Sequence, residues 1–307
     1  MPSMDYTRLD QKAAALGCPL LRDEPLAPRT TFKTGGPADR LLAVCTEAQL
    51  AGLLEVLKEA GVPWLTLGRG SNLLVGDRGF RGAVLCLEGD FKRIELLPGG
   101  RTLRAGAGAS LASLCAFARD HALTGLEFAW GIPGSVGGAV YMNAGAYGGE
   151  MKDVVLRAQH VDPCSGPGEY QGDELGFSYR RSAYTGGGKS ITFAQFQLAP
   201  GAREEIAARM EELMARRKEK QPYGMPSAGS TFKRPKTGYA AALIEQCGLK
   251  GRAVGGAQVS GKHAGFIVNT GGATCRDILA LMDLVRETVL RETGVELEPE
   301  VRVTGEL

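Results

Sequence analysis

The chain has 307 residues, 44% hydrophobic and 23% charged, with a net charge of +2. That balance suits a soluble globular protein of two or three domains, and so small a charge gives no footing for nucleic-acid binding. No apolar run reaches the roughly 18 residues of a membrane span, so none is expected.

In chain order, the opening MPSMDYTRLDQ lacks a basic segment followed by an apolar core, and no secretion signal is expected. Asp5 to Leu16 reads as a short helix. TTFKTGGPADRLL then turns at Gly35-Gly36-Pro37 into a strand at Leu41 to Val44. Thr46 and Gln49 form a capping box before a helix whose inner face is Leu50, Leu53, Leu54 and Leu57; Gly61 ends it. Trp64 to Leu67 is a strand running into GRGSNLLVG. This is not the dinucleotide fingerprint, because the third glycine and the following helix are missing. It reads either as a nucleotide-binding entry or as a plain strand–turn–strand. Ala83 to Leu87 and Thr102 to Ala105 are strands, and Ser110 caps a helix with Leu111, Leu114, Cys115 and Ala118 on one face.

That helix leads into GIPGSVGGAVYMNAGAYGGE, Gly131 to Glu150. Its glycines permit close backbone approach, and runs of exposed N–H groups can cradle a phosphate or a polar ring edge. Ile132, Val136, Val140, Tyr141 and Met142 are interleaved, where a solvated linker would carry serines and charges. The stretch is therefore read as ordered backbone pressed against something flat or phosphorylated. Glycine is abundant throughout, 44 residues, about twice the usual share of roughly 7%.

Val154 to Val161 and Ile191 to Leu198 are strands flanking the turn-rich GFSYRRSAYTGGGK. Gly188-Lys189-Ser190 ends like a P-loop, but Ala183 stands where its first glycine belongs. Pro200-Gly201 is a domain boundary. Glu204 to Lys220 is an amphipathic helix with Ile206, Met210, Leu213 and Met214 inside, and its basic end (Arg216, Arg217, Lys218, Lys220) suits the helix dipole. Lys233, Arg234 and Lys236 follow PSAGSTFK; the two basic groups either hold an anionic ligand or make a solvated face. Tyr239 to Cys247 is a helix, Ala257 to Val259 and Gly265 to Val268 are strands, and Thr274 caps a long helix with Ile278, Leu281, Met282 and Val285 inward, ended by Gly294. In the closing VELEPEVRVTG, alternation puts Val295, Leu297, Val301 and Val303 on one face.

The cysteines (Cys18, Cys45, Cys86, Cys115, Cys164, Cys247, Cys275) are odd in number and form no C-x-x-C pair. They read as buried reduced thiols in a cytoplasmic protein. His121, His160 and His263 lie far apart without metal-ligand spacing, so no metal is expected.

Six motifs, in order, resemble one family. They are TFKTGGPA (Thr31–Ala38), GRGSNLLV (Gly68–Val75), GIPGSVGGAVYMNAGAYG (Gly131–Gly148), YRRS (Tyr179–Ser182), AGSTFKRP (Ala228–Pro235) and LEPEVR (Leu297–Arg302). Together they resemble the UDP-N-acetylenolpyruvoylglucosamine reductase family, over nearly the whole chain beyond the first helix. The resemblance implies an α+β protein: a two-lobed FAD-binding domain of the vanillyl-alcohol-oxidase (PCMH) type plus a C-terminal α+β substrate domain. The boundaries it suggests are 1–88 and 89–201 for the lobes and 202–307 for the substrate domain, with the last strand returning Glu300 to the flavin site. The implied activity is NADPH-dependent reduction of UDP-N-acetylglucosamine enolpyruvate to UDP-N-acetylmuramate for peptidoglycan, by a cytoplasmic monomer with no nucleic-acid or membrane partner. The short spacing from Arg180 to Ile191 matches the subtype without an inserted tyrosine loop, and Tyr184 lies near where a substrate lid would sit.

The resemblance also implies residue roles. Hydride passes from NADPH to the flavin and on to the enolpyruvyl carbon, so negative charge builds toward the carboxylate and needs preorganised donors. Arg180 matches a guanidinium that grips that carboxylate. Glu300 matches a group acting protonated or through a hydrogen bond, which burial would favour. Ser230 matches the proton donor. Gly68, Arg69, Gly70, Ser71, Asn72 and Leu73 would wrap the FAD pyrophosphate, and Gly131, Pro133, Gly134, Ser135, Gly137, Gly138 and Asn143 would meet pyrophosphate and ring. Arg302 would reach the flavin. Neither glycine-rich segment holds a histidine, so FAD is expected to be non-covalent. Tyr179, Lys220, Lys233 and His263 match substrate contacts. Two other readings remain at this point, an FAD-dependent small-molecule oxidase of the same fold and a non-catalytic nucleotide-sugar-binding protein.

Overall fold

A computed structural model describes residues 4–307; the first three residues of the opening segment lie outside it. Helices and strands are intermixed as expected of an α+β chain. The helices are α1 (Thr7–Ala15), α2 (Glu47–Glu59), α3 (Leu111–Asp120), α4 (Val136–Tyr141), α5 (Arg203–Lys220), α6 (Ala240–Gln246) and α7 (Cys275–Thr293). The chain divides into two compact units, each assembled from separate stretches of sequence. The first is Met1–Arg22, Arg40–Arg69 and Gly82–Ala215; the second is Asp23–Asp39, Gly70–Arg81 and Arg216–Leu307.

The first unit is built on an antiparallel sheet in the order Gly166–Gln171, Val155–Asp162, Ser190–Gln197, Thr102–Gly106, Ile94–Leu96. Ser190–Gln197 is its central strand and is almost wholly buried, with Ile191, Phe193 and Phe196 in the core. Trp64–Leu67 pairs in parallel with Ala83 to Cys86. The capping box at Thr46 and Gln49 forms, and Leu50, Leu53, Leu54 and Leu57 of α2 are buried. Ser110 accepts from the Ser113 N–H and starts α3, with Leu111, Leu114, Cys115 and Ala118 inside. Gly166–Gln171 (GPGEYQ) is a strand that the sequence did not signal. It lies at the sheet edge, where Pro167 costs no ladder bond to a further neighbour.

The second unit packs α6 and α7 with a three-stranded antiparallel sheet of Ala253–Val254, Ala257–Val259 and Ile267–Asn269. Thr274 and Asp277 cap α7 reciprocally, and Gly294, with φ 70°, ends it. The Asp77 carboxylate adds a second cap, accepting the N–H groups of Cys275 (2.6 Å) and Arg276 (3.1 Å). The TGGP turn packs backbone on backbone: a Cβ on Gly79 would lie 1.8 Å from the Pro37 carbonyl, and one on Gly36 would lie 2.4 Å from that of Asp77. Arg302–Thr304 pairs in parallel with Leu73–Val75.

Three expectations need correction. The alternation expected across Val295 to Val303 is not one strand. Pro299 interrupts it, Leu297 and Val301 are buried, and Val303 is 44% exposed. Arg217, at the basic end of α5, is only 7% exposed, and its Nη1 donates to Gln221 Oε1 at 3.4 Å; it is not a solvated dipole partner. The cysteines are unbridged, but only Cys18, Cys115 and Cys275 are buried, and Cys164 is exposed. Burial pushes the Cys115 thiol up to about 12. Among the described residues no helix is long and apolar enough to cross a membrane, and no cluster of His, Cys, Asp or Glu has the makings of a metal site.

Candidate active site

In the first unit, the strand Trp64–Leu67 delivers Gly68 and Arg69 to the surface. A Cβ on Gly68 would lie 2.2 Å from Ser135 Oγ, so only glycine lets this turn close on the Ser135 turn. Ser135 is buried and caps α4 by accepting the Gly138 N–H at 3.3 Å. The N–H groups of Val136 and Gly137 donate to the carbonyls of Ala109 and Ala107, both at 2.9 Å. The amides at 136–138 are therefore engaged inside the protein. They do not form the outward N–H cradle expected of this stretch. What the segment offers instead is an exposed edge at Pro133 and Gly138, set between buried Val136, Ala139 and Val140. That edge, with Gly68 and Arg69 also exposed, fits a flat group laid against backbone.

Asn143 was expected on the cofactor. It is 0% exposed, and its side chain is used up within the protein. Nδ2 donates to Glu150 Oε2 (2.6 Å) and to the Ser178 carbonyl (3.1 Å), while Oδ1 accepts the Lys152 N–H (2.9 Å). The Ser178 bond ties Asn143 to the turn that carries Arg180. Ser178 and Arg181 exchange backbone hydrogen bonds at 3.1 Å, leaving Tyr179 and Arg180 at the tip. Arg180 has φ 57°, the left-handed region, and its guanidinium carbon lies 5.2 Å from the Tyr179 ring centroid. Ser182 Oγ donates to the Tyr141 carbonyl at 2.8 Å. Tyr184 is 0% exposed; its hydroxyl donates to the Ala158 carbonyl (2.9 Å) and meets His160 Nδ1 at 3.1 Å. Burial between His160 and Tyr170 excludes Tyr184 as a surface lid.

In the second unit, Ser230 and Glu300 lie on neighbouring segments. The Glu300 N–H donates to the Thr231 carbonyl and the Lys233 N–H to the Glu298 carbonyl, both at 2.8 Å, with a bridge between Phe232 and Pro299. Thr231 is itself pinned: its hydroxyl accepts the Ile267 N–H at 3.0 Å. The loop Gly70–Leu73 joins the same group. Asn72 Nδ2 donates to the Glu300 carbonyl (3.2 Å), and the Arg302 N–H donates to the Asn72 carbonyl (3.0 Å). Asn72, Thr231, Glu300 and Arg302 are thus held on one small ladder, and Ser230 is the residue just before Thr231. Ser71, Asn72, Ser230 and Glu300 are half-buried, and Arg302 is exposed.

The expected substrate contacts differ in character. Lys233 pairs with the exposed carboxylate of Glu298. Lys220 is exposed at the end of α5, and Tyr179 at the arginine turn. Burial lowers the His263 pKa, and its Nδ1 accepts the Gly265 N–H at 3.2 Å. Two residues of the first unit, Ser182 and Asn143 in its structural role, carried no sequence signal of their part. Their partners lie 41 and 35 positions away.

Residues 38–166 match the family model of an FAD binding domain, and residues 221–304 match that of the C-terminal domain of UDP-N-acetylenolpyruvoylglucosamine reductase. The reductase of Agathobacter rectalis is 48% identical over 297 residues, covering 94% of both chains. That of Heliobacterium modesticaldum is 46% identical, covering 93% of this chain and 91% of the relative. The crystal structure of the reductase (MurB) from Thermus caldophilus superposes with a TM-score of 0.79 at 37% identity, over 94% of this chain and 98% of that one. With 48% identity over 94% of the chain, and an FAD binding domain and the reductase's C-terminal domain matched in order, the chain belongs to the UDP-N-acetylenolpyruvoylglucosamine reductase family.

Proposed function

We propose that the chain reduces UDP-N-acetylglucosamine enolpyruvate to UDP-N-acetylmuramate at the expense of NADPH, a step of peptidoglycan precursor synthesis. Family membership along 94% of the chain carries this reading. We place the activity in the cytoplasm, in a monomer without nucleic-acid or membrane partners. On this reading 1–88 and 89–201 are the flavin-binding lobes and 202–307 is the substrate domain.

Bound FAD supplies what no side chain can, accepting hydride from NADPH and giving it to the enolpyruvyl group. Gly68 to Leu73, the edge at Gly131 to Gly138, and Arg302 are the residues proposed to hold it non-covalently. Arg180 grips the substrate carboxylate, where negative charge accumulates, with a cation that does not deprotonate. Ser230 gives its hydroxyl proton to the neighbouring carbon. Glu300, whose N–H donates to the Thr231 carbonyl, stabilises the enolate with Arg180, acting protonated or through a hydrogen bond. His263, Tyr179, Lys220 and Lys233 meet the substrate.

Ser230→Ala tests this assignment in the purified flavoprotein, with the two half-reactions followed separately. Reduction of the flavin by NADPH is expected to stay near the parent rate, and its reoxidation by the enolpyruvyl sugar to fall by roughly 10²- to 10⁴-fold. Unchanged reoxidation would remove Ser230 from the chemistry. A protein that cannot be loaded with FAD would remove the activity altogether, and fast reoxidation by oxygen without the sugar would favour an oxidase.

A further inference from the structure

The arginine turn is bonded on both sides to one short piece of chain. Before Arg180, the Ser178 carbonyl accepts from Asn143 Nδ2 at 3.1 Å. After it, Ser182 Oγ donates to the Tyr141 carbonyl at 2.8 Å. Tyr141 is the last residue of α4, and Asn143 lies two positions beyond. The carbonyls of a final helical turn have no partner within the helix, so the Tyr141 carbonyl is an acceptor the fold must satisfy, and Ser182 satisfies it. Both anchors are nearly inaccessible: Asn143 is 0% exposed and Ser182 6%. A third fastening lies just beyond, where buried Tyr184 donates to the Ala158 carbonyl.

These anchors hold a conformation that an arginine does not adopt unaided. A left-handed φ of 57° at a residue with a long side chain is disfavoured and persists only where its surroundings over-determine it. Glu150 and the Lys152 N–H complete the hold by fixing the rotation of the Asn143 amide. The far end of the same stretch, Gly131 to Gly138, is the edge read as meeting FAD.

We infer that Asn143 and Ser182 are positioning residues for the reduction, tying the strained turn of Arg180 to the end of α4 so that the guanidinium keeps a set place relative to the flavin-binding edge. The inference rests on the reading of Arg180 as the carboxylate-gripping residue. It explains why the Asn143 side chain is buried and bonded on all sides within the protein, and why a serine follows the arginine pair in YRRS.

Ser182→Ala deletes one anchor without altering the turn residues, and Ser182→Thr keeps the hydroxyl. In the FAD-loaded protein, Ser182→Ala is expected to slow flavin reoxidation by the enolpyruvyl sugar by about ten- to a hundredfold, the cost of a misplaced catalytic group, while flavin reduction by NADPH is unchanged. Ser182→Thr should recover most of the rate. Combined with Arg180→Ala, Ser182→Ala should add no further loss, because it acts through Arg180. Hydrogen exchange across residues 178–185 should quicken in Ser182→Ala, a readout independent of turnover. Asn143→Ala, which removes the other anchor, should also slow reoxidation. Equal losses in both half-reactions, or additive losses with Arg180→Ala, would overturn the inference. If Arg180→Ala alone leaves reoxidation intact, the reading of Arg180 falls. If it slows reoxidation while Ser182→Ala and Asn143→Ala do not, only the positioning role falls.

Discussion

Arg180 occupies a backbone position where glycine is the ordinary tenant. The left-handed conformation costs about 1–2 kcal/mol for a residue with a Cβ. Arg180→Gly is therefore expected to leave unfolding stability unchanged or raise it by up to about 1 kcal/mol, once the greater chain entropy of glycine is set against the relieved strain. Reoxidation by substrate should collapse in the same variant. Denaturant unfolding measured beside the half-reactions checks this, and a clear loss of stability would show that the strain is not there. His160 offers a second test. Burial, with the Lys189 cation nearby and Asp162 opposing, holds its pKa below the usual 6.5. The folded protein thus binds this proton less readily than the unfolded chain, and stability drains away as pH falls below about 6.5. His160→Gln should flatten that part of a melting-temperature profile taken between pH 8 and 5.5. Neither feature was legible in the sequence. An arginine gives no sign of a positive φ, and the surroundings of His160 come from Tyr170, Tyr184 and Lys189, which only folding gathers.

Elements with local signatures were readable, and those defined by distant partners were not. The helices α2, α3 and α7 carry their own caps and apolar stripes within a few residues, so sequence and structure agree on them almost to the residue. The edge strand Gly166–Gln171 has no such signature, because its strand character comes from pairing with Val155–Asp162. The same limit hid the internal use of the amides at 136–138: glycines announce close approach but not what approaches. The second cap of α7 is also a long-range feature, with Asp77 nearly two hundred positions from Cys275. Asp77→Ala should destabilise the protein by about 1–2 kcal/mol, as loss of a helix cap does, measured by denaturant unfolding. No change would mean that Thr274 and Asp277 suffice.

At the scale of the whole chain, the second compact unit is not a segment that can be cut out. It takes Asp23–Asp39 and Gly70–Arg81 as well as Arg216–Leu307. A polypeptide of residues 216–307 alone would lack Asp77 at the start of α7, Leu73–Val75 beside Arg302–Thr304, and buried Phe32 and Leu74 from the core. It is expected to show no cooperative thermal transition by circular dichroism; a sharp melt would show that these segments are dispensable. The parallel pair of Leu73–Val75 with Arg302–Thr304 has a consequence for how the protein comes into being. Leu73 and its partner Arg302 are 229 positions apart. At translation speeds of about 5–20 residues per second, the first strand waits on the order of ten to fifty seconds for the second to leave the ribosome. During that interval Leu73–Val75 is an unsatisfied apolar edge, and Asn72 before it lacks its bonds to Glu300 and Arg302. The loop Gly70–Asn72 therefore gains its bonds to Glu300 and Arg302 late, and this strand is one place where a chaperone would have time to act.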